Sequence, residues 1–257
     1  MAASGPPPSG PAPSGPAAPG AAPSGLAASE LAAAVPAAAV PAEPFDAVIL
    51  AGGRARRLGG ADKPALMVGG RSMAASVLSA VADAARVIVV GPDRPELRAL
   101  RPGDGLRFVR EEPPGSGPVP ALRRGLAEVL APWVAVLAAD LPFLRPADVD
   151  RLRAASHGGA GYGPGDARNA VTHQYGALLV DDGGRPQWLA GCWRTAVLRA
   201  AAASYRGESL HGLLAPLRPV RVPPGAGGAP PWLDCDTDED LLAARELSLR
   251  TGHGVSR

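Results

Sequence analysis

From residue 45 onward the sequence alternates short, almost continuous apolar runs with amphipathic segments of helical period. Apolar runs of this length are typical of strands that are buried on both faces, and helices between them are typical of the crossovers that join parallel strands. Four runs are predicted as strands, at residues 45–50, 86–90, 106–109 and 133–138. The sequence therefore predicts an α/β fold in which a mostly parallel sheet is flanked by helices on both faces.

Further elements are predicted from the spacing of the remaining apolar residues. Helices are predicted over residues 72–84, 119–130, 146–155 and 195–203. Additional strands are predicted over residues 174–180 and 186–193. The apolar face of the second helix consists of Val119, Leu122, Leu126, Val129 and Leu130. A capping box formed by Thr237 and Asp240 predicts the start of a last helix, which runs to about Leu249.

The first 43 residues differ in composition from the rest of the chain. They are almost wholly Ala, Pro, Gly and Ser, contain no aromatic residue, and carry acidic or basic side chains only at Glu30 and Glu43. Such a segment buries too little apolar surface to offset the entropy that it loses on ordering, and prolines interrupt its alanine runs. We therefore predict a disordered tail over 1–43, a folded domain over 44–250 and a flexible C-terminus over 251–257.

Charge, cysteine content and hydropathy limit the partners of the chain. The formal net charge is +2 and basic residues are interspersed with acidic ones, which predicts no nucleic-acid or anionic-lipid partner and favours a small-molecule substrate. The two cysteines, Cys192 and Cys235, lack the spacing of a metal site or a disulfide framework. No apolar stretch is long enough to span a bilayer, and the N-terminus lacks the basic segment of a secretory signal. A cytoplasmic protein without membrane contact is expected.

A glycine-rich segment directly follows the first predicted strand, and residues 50–66 read LAGGRARRLGGADKPAL. Gly52 and Gly53 carry no Cβ and permit positive φ, so backbone N–H groups there can surround a phosphate chain. Arg57 and Lys63 supply positive charge at the far side. The segment matches neither GxGxxG nor the P-loop pattern, which disfavours a standard dinucleotide fold and a P-loop NTPase. A plain glycine-rich turn is the structural alternative.

Lys63 is the only lysine among the 26 basic residues of the chain. A GC-rich coding bias with one chance survivor would explain why arginine stands at all other positions. The survivor lies beside the glycine-rich segment, however, and a compact ammonium approaches phosphate in a way that a planar guanidinium does not. We therefore predict that Lys63 is an exposed loop residue with a functional role.

An acidic residue, Asp140, follows the predicted strand 133–138 in the segment LAADLPFL. In open α/β sheets ligands bind beyond the carboxyl ends of the strands, so Asp140 is expected to face the same crevice as the glycine-rich segment. The alternative role of Asp140 is that of a helix N-cap, which Pro142 and Pro146 disfavour.

The glycine-rich segment resembles the loop of the molybdenum cofactor guanylyltransferases, a group within the MobA-like NTP transferases, whose loop reads approximately LAGGxxxRMGxDK. The matching residues are Leu50, Ala51, Gly52, Gly53, Arg57, Gly59, Asp62 and Lys63, and Leu58 stands where the family usually has methionine. Over about residues 45–247 the resemblance implies a Rossmann-like fold of the nucleotide-diphospho-sugar transferase type. It also implies a Mg²⁺-dependent enzyme that transfers GMP from GTP to molybdenum-bearing molybdopterin and releases pyrophosphate.

The resemblance also implies roles for individual residues of this chain. Catalytic roles fall to Arg57, Lys63 and Asp140, and the Mg²⁺ ligands are Asp140 and Asp236. The implied nucleotide-binding residues are Leu50, Ala51, Gly52, Gly53, Arg57, Lys63, Glu111, Gly117, Pro118 and Asp140. The family's base-binding loop usually reads GPLAG, whereas residues 117–121 read GPVPA. Arg194, just after the predicted strand 186–193, is expected to meet an acceptor phosphate.

Several alternatives stay open at this point. Glu111 either pairs with the donor edge of guanine or is a solvated loop glutamate, and Asp236 either completes the metal site or only leads into the Thr237 cap. Cytidylyl transfer to molybdopterin and nucleotidyl transfer to a sugar phosphate are the nearest alternative activities, and a non-catalytic nucleotide-binding module that delivers cofactor is a further one. The expected partners are GTP and a molybdopterin-type acceptor, with transient contact to molybdenum cofactor enzymes or carriers.

Overall fold

A seven-stranded sheet forms the centre of the part of the chain that the structure describes. The computed structural model describes Met1 and residues 43–52, 62–158 and 175–252. The strands are β1 (Phe45–Leu50), β2 (Met67–Val68), β3 (Arg71–Ser72), β4 (Val87–Val90), β5 (Leu106–Val109), β6 (Trp133–Ala138), β7 (Gly176–Val180), β8 (Pro186–Arg194) and β9 (Val220–Val222). The helices are α1 (Met73–Ala80), α2 (Pro95–Leu100), α3 (Pro118–Leu126), α4 (Pro146–Gly158), α5 (Thr195–Ser204), α6 (Leu210–Leu214) and α7 (Asp238–Thr251), with short 3-10 turns at Lys63–Ala65 and Ala215–Leu217.

Some of the predicted features lie outside the described residues. The tail predicted over 1–43 and the C-terminus predicted over 251–257 fall largely on residues that the structure does not describe, so these boundaries stay predictions. Gly53, Arg57 and Gly59 of the glycine-rich segment also lie outside the described residues. Within the described ranges, no helix is both long and apolar enough to cross a membrane.

The sheet is mostly parallel, as the alternation of apolar runs and helices predicts. The strand order is β5-β4-β1-β6-β8-β7-β9, and the first four of these strands are parallel to one another. β8 runs antiparallel to both β6 and β7, and β9 pairs in parallel with β7. Leu50 at the end of β1 pairs with Ala138 at the end of β6, so the segments that follow these two strands leave the sheet at the same edge.

Helices cover both faces of the sheet, which confirms the predicted layering. α1 and α4 pack on one face, where they contact the buried side chains of Phe45, Ile49 and Trp133. α3, α5 and α6 pack on the other face, against Val48 and Val136. All six residues of β1 are buried, as expected for a central strand with a helical layer on each side.

The predicted buried strands at residues 45–50 and 133–138 are confirmed, whereas the strand predicted at 106–109 lies at the edge of the sheet and buries only Leu106. The second predicted helix is too long. α3 ends at Leu126, and the side chain of Leu130 is 69% exposed instead of lying on the apolar face. The backbone N–H groups of Leu130 and Ala131 donate to the buried Asp46 carboxylate at 2.6 and 3.0 Å, so the chain has left the helix and turns toward β6.

Other differences from the sequence-based expectation concern short elements. The helix predicted over 72–84 begins after its N-cap Ser72 and already ends at Ala80. The hairpin of β2 and β3, the helices α2 and α6, and strand β9 were not predicted; none of them exceeds six residues. Elements of this length contain too few residues to display a periodic apolar pattern.

Gly125 lets α3 lie close to the sheet. A Cβ atom at this position would lie 2.5 Å from Val48 Cγ1 on β1 and 2.9 Å from Val90 Cγ2 on β4. Both distances are shorter than a van der Waals contact, and both valines are fully buried, so neither can move aside without disturbing the core. The missing side chain at residue 125 therefore sets the distance between α3 and the strands that lead into the glycine-rich segment.

We expect Gly125→Ala to lower the free energy of unfolding by about 1 to 2 kcal/mol. Overpacking a core costs about 1 to 3 kcal/mol, and two contacts under 3.0 Å with buried side chains favour the upper half of that range, about 2 to 3 kcal/mol. The better helix propensity of alanine returns about 1 kcal/mol. Gly225→Ala is the matched control, because the nearest atom to its new Cβ is the end of the flexible Arg151 side chain, at 3.0 Å. Urea titrations of the two variants measure the difference, and equal stability of Gly125→Ala and the wild type would contradict the packing argument.

Candidate active site

A cleft of about 730 Å³ lies at the carboxyl ends of β1 and β6. Ligand sites in proteins commonly enclose about 300 to 1,000 Å³, and in open α/β sheets they lie beyond the carboxyl ends of the strands. The walls come from the ends of β1 and β6, the β5–α3 connection, the first half of β8, α6, and the segment before α7. The lining residues that belong to the predicted nucleotide site are Leu50, Gly52, Glu111, Gly117, Pro118 and Asp140.

The end of β1 brings the glycine-rich segment to the cleft. Gly52 lines the cleft, whereas the neighbouring Ala51 is buried beneath it and donates its N–H to Val90 O at 2.9 Å. Ala51 thereby extends the pairing of β1 with β4 by one residue. The predicted nucleotide-binding residues Gly53 and Arg57 lie outside the described residues, so their expected roles stay predictions.

Lys63 is not the exposed loop residue that the sequence analysis expected. It begins a 3-10 turn, its side chain is only 14% exposed, and its ammonium forms ion pairs with Asp140 and, at 2.5 Å, with Asp236. Burial disfavours the charged form, but the attraction of Asp140 and Asp236 outweighs burial and raises the pKa of Lys63 above its ordinary value. Lys63 is therefore a fixed positive charge that links the segment after β1 to two other segments.

Two carboxylates pair with this ammonium, and the charge of a third acts on the same group of residues. Asp140 follows β6 and lines the cleft, Asp236 precedes α7, and Asp234 lines the cleft on the same segment. Partial burial and the charges of Asp236 and Asp140 raise the pKa of Asp234, and Lys63 offsets part of that effect. Among the described residues, negative charge thus exceeds positive charge around Lys63, which favours an additional cation there.

From the sequence, each aspartate has an alternative role: a helix N-cap for Asp140, and the lead into the Thr237 cap for Asp236. Asp140 is not a helix N-cap, because the next helix, α4, begins six residues later at Pro146. The segment before α7 does form the predicted capping box, in which Thr237 Oγ1 accepts from Asp240 N and the Asp240 carboxylate accepts from Thr237 N at 2.9 Å. Asp236 leads into this cap and also pairs with Lys63. Its position before the cap is therefore compatible with an additional role in the site, and metal binding by Asp236 stays a prediction.

The donor set of these aspartates suits a shared Mg²⁺ ion. Carboxylate oxygens are the hard ligands that Mg²⁺ prefers, and in phosphoryl-transfer sites one or two carboxylates usually bind it together with substrate phosphates. Among the residues that the structure describes, no group of three or more His, Cys, Asp or Glu side chains has the arrangement of a protein-only metal site. Asp140 and Asp236 therefore fit an ion that completes its coordination with phosphate oxygens.

The β5–α3 connection forms the opposite wall of the cleft. Glu111 is buried there and its Oε1 accepts from Gly115 N at 2.8 Å, so Glu111 is not a solvated loop residue. Gly117 has φ +108°, a backbone conformation that favours glycine. Pro118 and Pro120 carry no amide hydrogen, so the start of α3 offers fewer donors to a phosphate than most helix N-termini do. This wall is therefore better suited to an uncharged group than to phosphate.

Arg194 lies at the opposite end of the strands from the cleft, so the expectation that it meets an acceptor phosphate is wrong. β8 is antiparallel to β6, and Arg194 at the end of β8 pairs with Trp133 at the beginning of β6. Its guanidinium lies 5.6 Å from the centroid of the Trp133 ring. The cleft, by contrast, lies beyond the other end of β6, at Asp140.

Arg94 supports the active-site segment, and sequence reasoning did not single it out. It lies between β4 and α2, its side chain is only 3% exposed, and its two terminal nitrogens bind both carboxylate oxygens of Asp62, with Nη2 to Oδ1 at 2.6 Å. Asp62 directly precedes Lys63, and its side chain makes no capping hydrogen bond to the 3-10 turn. The bidentate pair therefore fixes the backbone next to Lys63. No motif distinguishes Arg94 from the many other arginines of the chain.

Comparison with known proteins identifies the family to which the chain is similar. A family model described as a MobA-like NTP transferase domain matches residues 47–221. A probable molybdenum cofactor guanylyltransferase of Haloferax mediterranei is 32% identical over 127 residues, which span 48% of this chain and 60% of that protein's length. The molybdenum cofactor guanylyltransferase of Bradyrhizobium sp. (strain ORS 278) is 28% identical over 210 residues, which span 78% of this chain and 92% of the relative.

Solved structures confirm the expected nucleotide-diphospho-sugar transferase type of fold. The molybdopterin-guanine dinucleotide biosynthesis protein A of Archaeoglobus fulgidus matches with a TM-score of 0.55 and 18% identity, over 80% of this chain and 99% of that chain. The 2-C-methyl-D-erythritol 4-phosphate cytidylyltransferase of Thermus thermophilus matches with a TM-score of 0.51 and 22% identity, over 79% of this chain and 98% of that chain. At these identities the likeness concerns the fold alone.

We expect Arg94→Met to reduce kcat/KM for nucleotide-dependent pyrophosphate release by roughly ten- to a hundredfold, since misplacing a positioned group by about 1 Å can cost a hundredfold. Asp62→Asn should act in the same direction, and the double variant should lose little more than either single one because both remove the same contact. Arg94→Lys should recover only part of the activity, since an ammonium cannot form the bidentate pair.

Arg98→Met is the matched control for Arg94, because Arg98 forms a similar but exposed pair with Asp93 on the same segment, at 2.8 Å. It should leave kcat/KM unchanged. Circular dichroism melts report whether each variant is folded at the assay temperature. A loss of activity in Arg94→Met that merely follows the unfolded fraction would show that Arg94 stabilises the fold and does not position Lys63.

Proposed function

The chain belongs to the MobA-like NTP transferase family, and we propose that it is a Mg²⁺-dependent nucleotidyltransferase that transfers GMP from GTP to molybdenum-bearing molybdopterin. The observation that carries the proposal is the convergence of three segments at one cleft. Gly52 follows β1, Asp140 follows β6, and Lys63 joins Asp140 to Asp236 through its ammonium. These are the residue types that the handling of a triphosphate requires, and no histidine or cysteine is needed for it.

In the reaction one phosphorus–oxygen bond forms and another breaks. A phosphate oxygen of the acceptor forms a bond to the α-phosphorus of GTP, and the bond from the α-phosphorus to the oxygen bridging to the β-phosphate breaks. Pyrophosphate leaves with that electron pair, so the protein's work is to position the reactants and to neutralise charge. Bound Mg²⁺, held by Asp140 and Asp236, would neutralise charge on the phosphate oxygens.

Different residues of the chain neutralise charge, bind the phosphate chain and recognise the base. Lys63 stays protonated because its pKa is raised, and it contributes lasting positive charge beside Asp140. Backbone N–H groups of the glycine-rich segment bind the phosphate chain, and Arg57 adds charge there. The buried Glu111 keeps one carboxylate oxygen on Gly115 N, and its carboxylate can accept from the N1–H and 2-amino groups of guanine. The protein would act in the cytoplasm, in transient contact with molybdenum cofactor enzymes or carriers.

Pyrophosphate release with each nucleotide in turn tests the proposal. With molybdopterin as acceptor we expect kcat/KM to be highest for GTP, because cytosine lacks the N1–H and 2-amino donors that Glu111 would bind. Glu111→Gln should reduce that preference. Equal or better use of CTP would reject guanylyl transfer but keep nucleotidyl transfer, and release only with a sugar phosphate would reassign the acceptor. Nucleotide binding without any release would indicate a delivery module.

We expect Lys63→Ala to lower kcat by about a hundredfold or more, as for the loss of a preorganised charge-stabilising group. Lys63→Arg should recover little of this loss, because the compact ammonium fits between two carboxylates and a planar guanidinium does not. Arg98→Ala removes an exposed cation elsewhere and serves as the control. Single-turnover kinetics measure the chemical step, and a rate in Lys63→Ala close to that of the wild type would return Lys63 to the coding-bias explanation.

We expect Asp140→Asn to keep the fold and to lose the Mg²⁺ dependence of catalysis, since an amide preserves the shape of the side chain but not its charge. Titrating Mg²⁺ against the rate of pyrophosphate release measures the effect. Asp182→Asn, an exposed aspartate in the β7–β8 turn, is the control and should give the wild-type curve. If the titration of Asp140→Asn overlays that of the wild type, Asp140 is not a ligand, and Asp236→Asn becomes the next variant to test.

A further inference from the structure

Two segments of the chain supply the carboxylates that pair with Lys63, and these segments contact each other through residues that do not line the cleft. One segment leads from Asp140 to α4, and the other leads from β9 through residues 223–236 to α7. The distance between the carboxylates of Asp140 and Asp236 therefore depends on how the two segments are held together. An ion shared by both carboxylates requires this distance to be fixed, because Mg²⁺ demands near-octahedral geometry.

Arg145 makes a direct contact between the two segments. Its Nη1 donates to the carbonyl oxygen of Gly227 at 3.2 Å. The next residue, Gly228, has φ +90°, and a Cβ atom there would lie 2.7 Å from the same Nη1. The missing side chain at residue 228 therefore leaves the space in which the Arg145 guanidinium lies against the loop.

Asp148 holds Arg145 in this position. The Asp148 side chain is 1% exposed, and its Oδ2 accepts from the backbone N and the Nε of Arg145, at 3.1 and 3.0 Å. Its Oδ1 accepts from Nη2 of Arg145 at 3.3 Å and from Nη2 of Arg151 at 3.0 Å. A buried carboxylate that binds an arginine at both backbone and guanidinium fixes the side chain of that arginine. We call Arg145, Asp148 and Gly227 the arginine clamp.

The chain between the clamp and Asp236 has little freedom to absorb a displacement. Residues 230 and 231 are both prolines, whose rings fix φ, and the N–H of Leu233 donates to Pro230 O at 3.2 Å. A shift at Gly227 is therefore carried toward Asp236.

A small apolar cluster joins the same two segments closer to the carboxylates. Phe143, three residues after Asp140, belongs to this cluster together with Ala229 and Cys235. Cys235 directly precedes Asp236 and is fully buried. The cluster fixes one point of the segment before α7, and a contact at a second point is needed to fix its direction.

We propose that Arg145 is a positioning residue for the metal ligands: the arginine clamp sets the direction of the segment before α7 and thereby the distance between Asp140 and Asp236. This inference rests on the proposed function, because it concerns the Mg²⁺ ion that these two carboxylates would hold. Within the described part of the chain, Arg145 does not line the cleft, and its hydrogen bonds go to Asp148 and Gly227. Arg145 therefore acts on the ligands through the backbone.

The sign of the effect separates positioning from simple charge. Arg145 and Arg151 are both cations bound to Asp148, so removing either one makes this part of the protein more negative. By Coulomb attraction alone, either removal strengthens the binding of a divalent cation. Positioning predicts weaker binding for Arg145 only, because Arg151 donates to Asp148 and, among the described residues, makes no hydrogen bond to the loop.

Binding of Mn²⁺, a paramagnetic substitute for Mg²⁺, measures the effect without turnover. Free Mn²⁺ is titrated into the full chain and followed by electron paramagnetic resonance. We expect Arg145→Met to raise the dissociation constant by roughly three- to tenfold, less than the ten- to hundredfold typical of a group that binds a metal ligand directly. Arg151→Met is the matched control and should bind Mn²⁺ at least as tightly as the wild type. In Mg²⁺ titrations of pyrophosphate release, Arg145→Met should raise the half-saturating concentration and keep kcat at saturating Mg²⁺.

A second pair of variants displaces the clamp without removing Arg145. Gly228→Ala places a methyl group against Nη1 of Arg145, whereas Gly103→Ala adds one at φ +89° with no atom within 4 Å. The two substitutions carry a similar backbone cost, so a weaker Mn²⁺ affinity in Gly228→Ala alone reports the displacement of Arg145. This pair decides the matter if Arg145→Met does not fold, which circular dichroism melts reveal.

The inference is overturned if Arg145→Met binds Mn²⁺ as Arg151→Met does, or if Gly228→Ala binds it as Gly103→Ala does. Asp140→Asn separates this failure from that of the proposed metal site. If Asp140→Asn binds Mn²⁺ as the wild type does, the metal site is wrong and the inference falls with it. If Asp140→Asn loses Mn²⁺ while Arg145→Met does not, the metal site stands and only the clamp is rejected.

Discussion

The ammonium of Lys63 connects three parts of the chain that are far apart in sequence. It lies after β1, pairs with Asp140 after β6, and pairs with Asp236 ahead of α7. Three carboxylates would repel one another at this edge of the sheet without a positive charge between them. The same charge therefore allows the site to assemble and, in the proposed reaction, meets the phosphate. Under the proposed function, this double use accounts for one lysine in a chain that otherwise uses arginine.

The sheet supplies the frame for this interaction. β1 and β6 are adjacent and parallel, so Gly52 and Asp140 reach the same edge at the same height. Gly125 lets α3 pack tightly below that edge, and Arg94 holds Asp62 from the side of β4. Gly52 and Asp140 thus closely follow buried, adjacent strands, and this attachment limits their movement although neither residue is in regular structure.

The sequence predicted the central strands and the main site segments but not the contacts between them. β1, β4 and β6 are apolar runs, and such runs predict buried strands from local information alone. The pairing of Lys63 with Asp236 joins residues 173 positions apart, and that of Arg94 with Asp62 follows no motif. Arg194 was placed at the wrong edge because the residues of a strand do not reveal its direction. The end of α3 and the short elements β9 and α6 likewise depend on tertiary packing.

The antiparallel direction of β8 has a consequence for how such a site can diversify. Residues 186–189 lie beyond the last pair with β6, so substitutions among them alter a wall of the cleft without shifting the register of the central strands. Lys63 and Asp140 lie on the other side of that boundary, beyond the end of β6. One wall of the cleft can therefore change its side chains over evolution while the ion pair of Lys63 with Asp140 keeps its place.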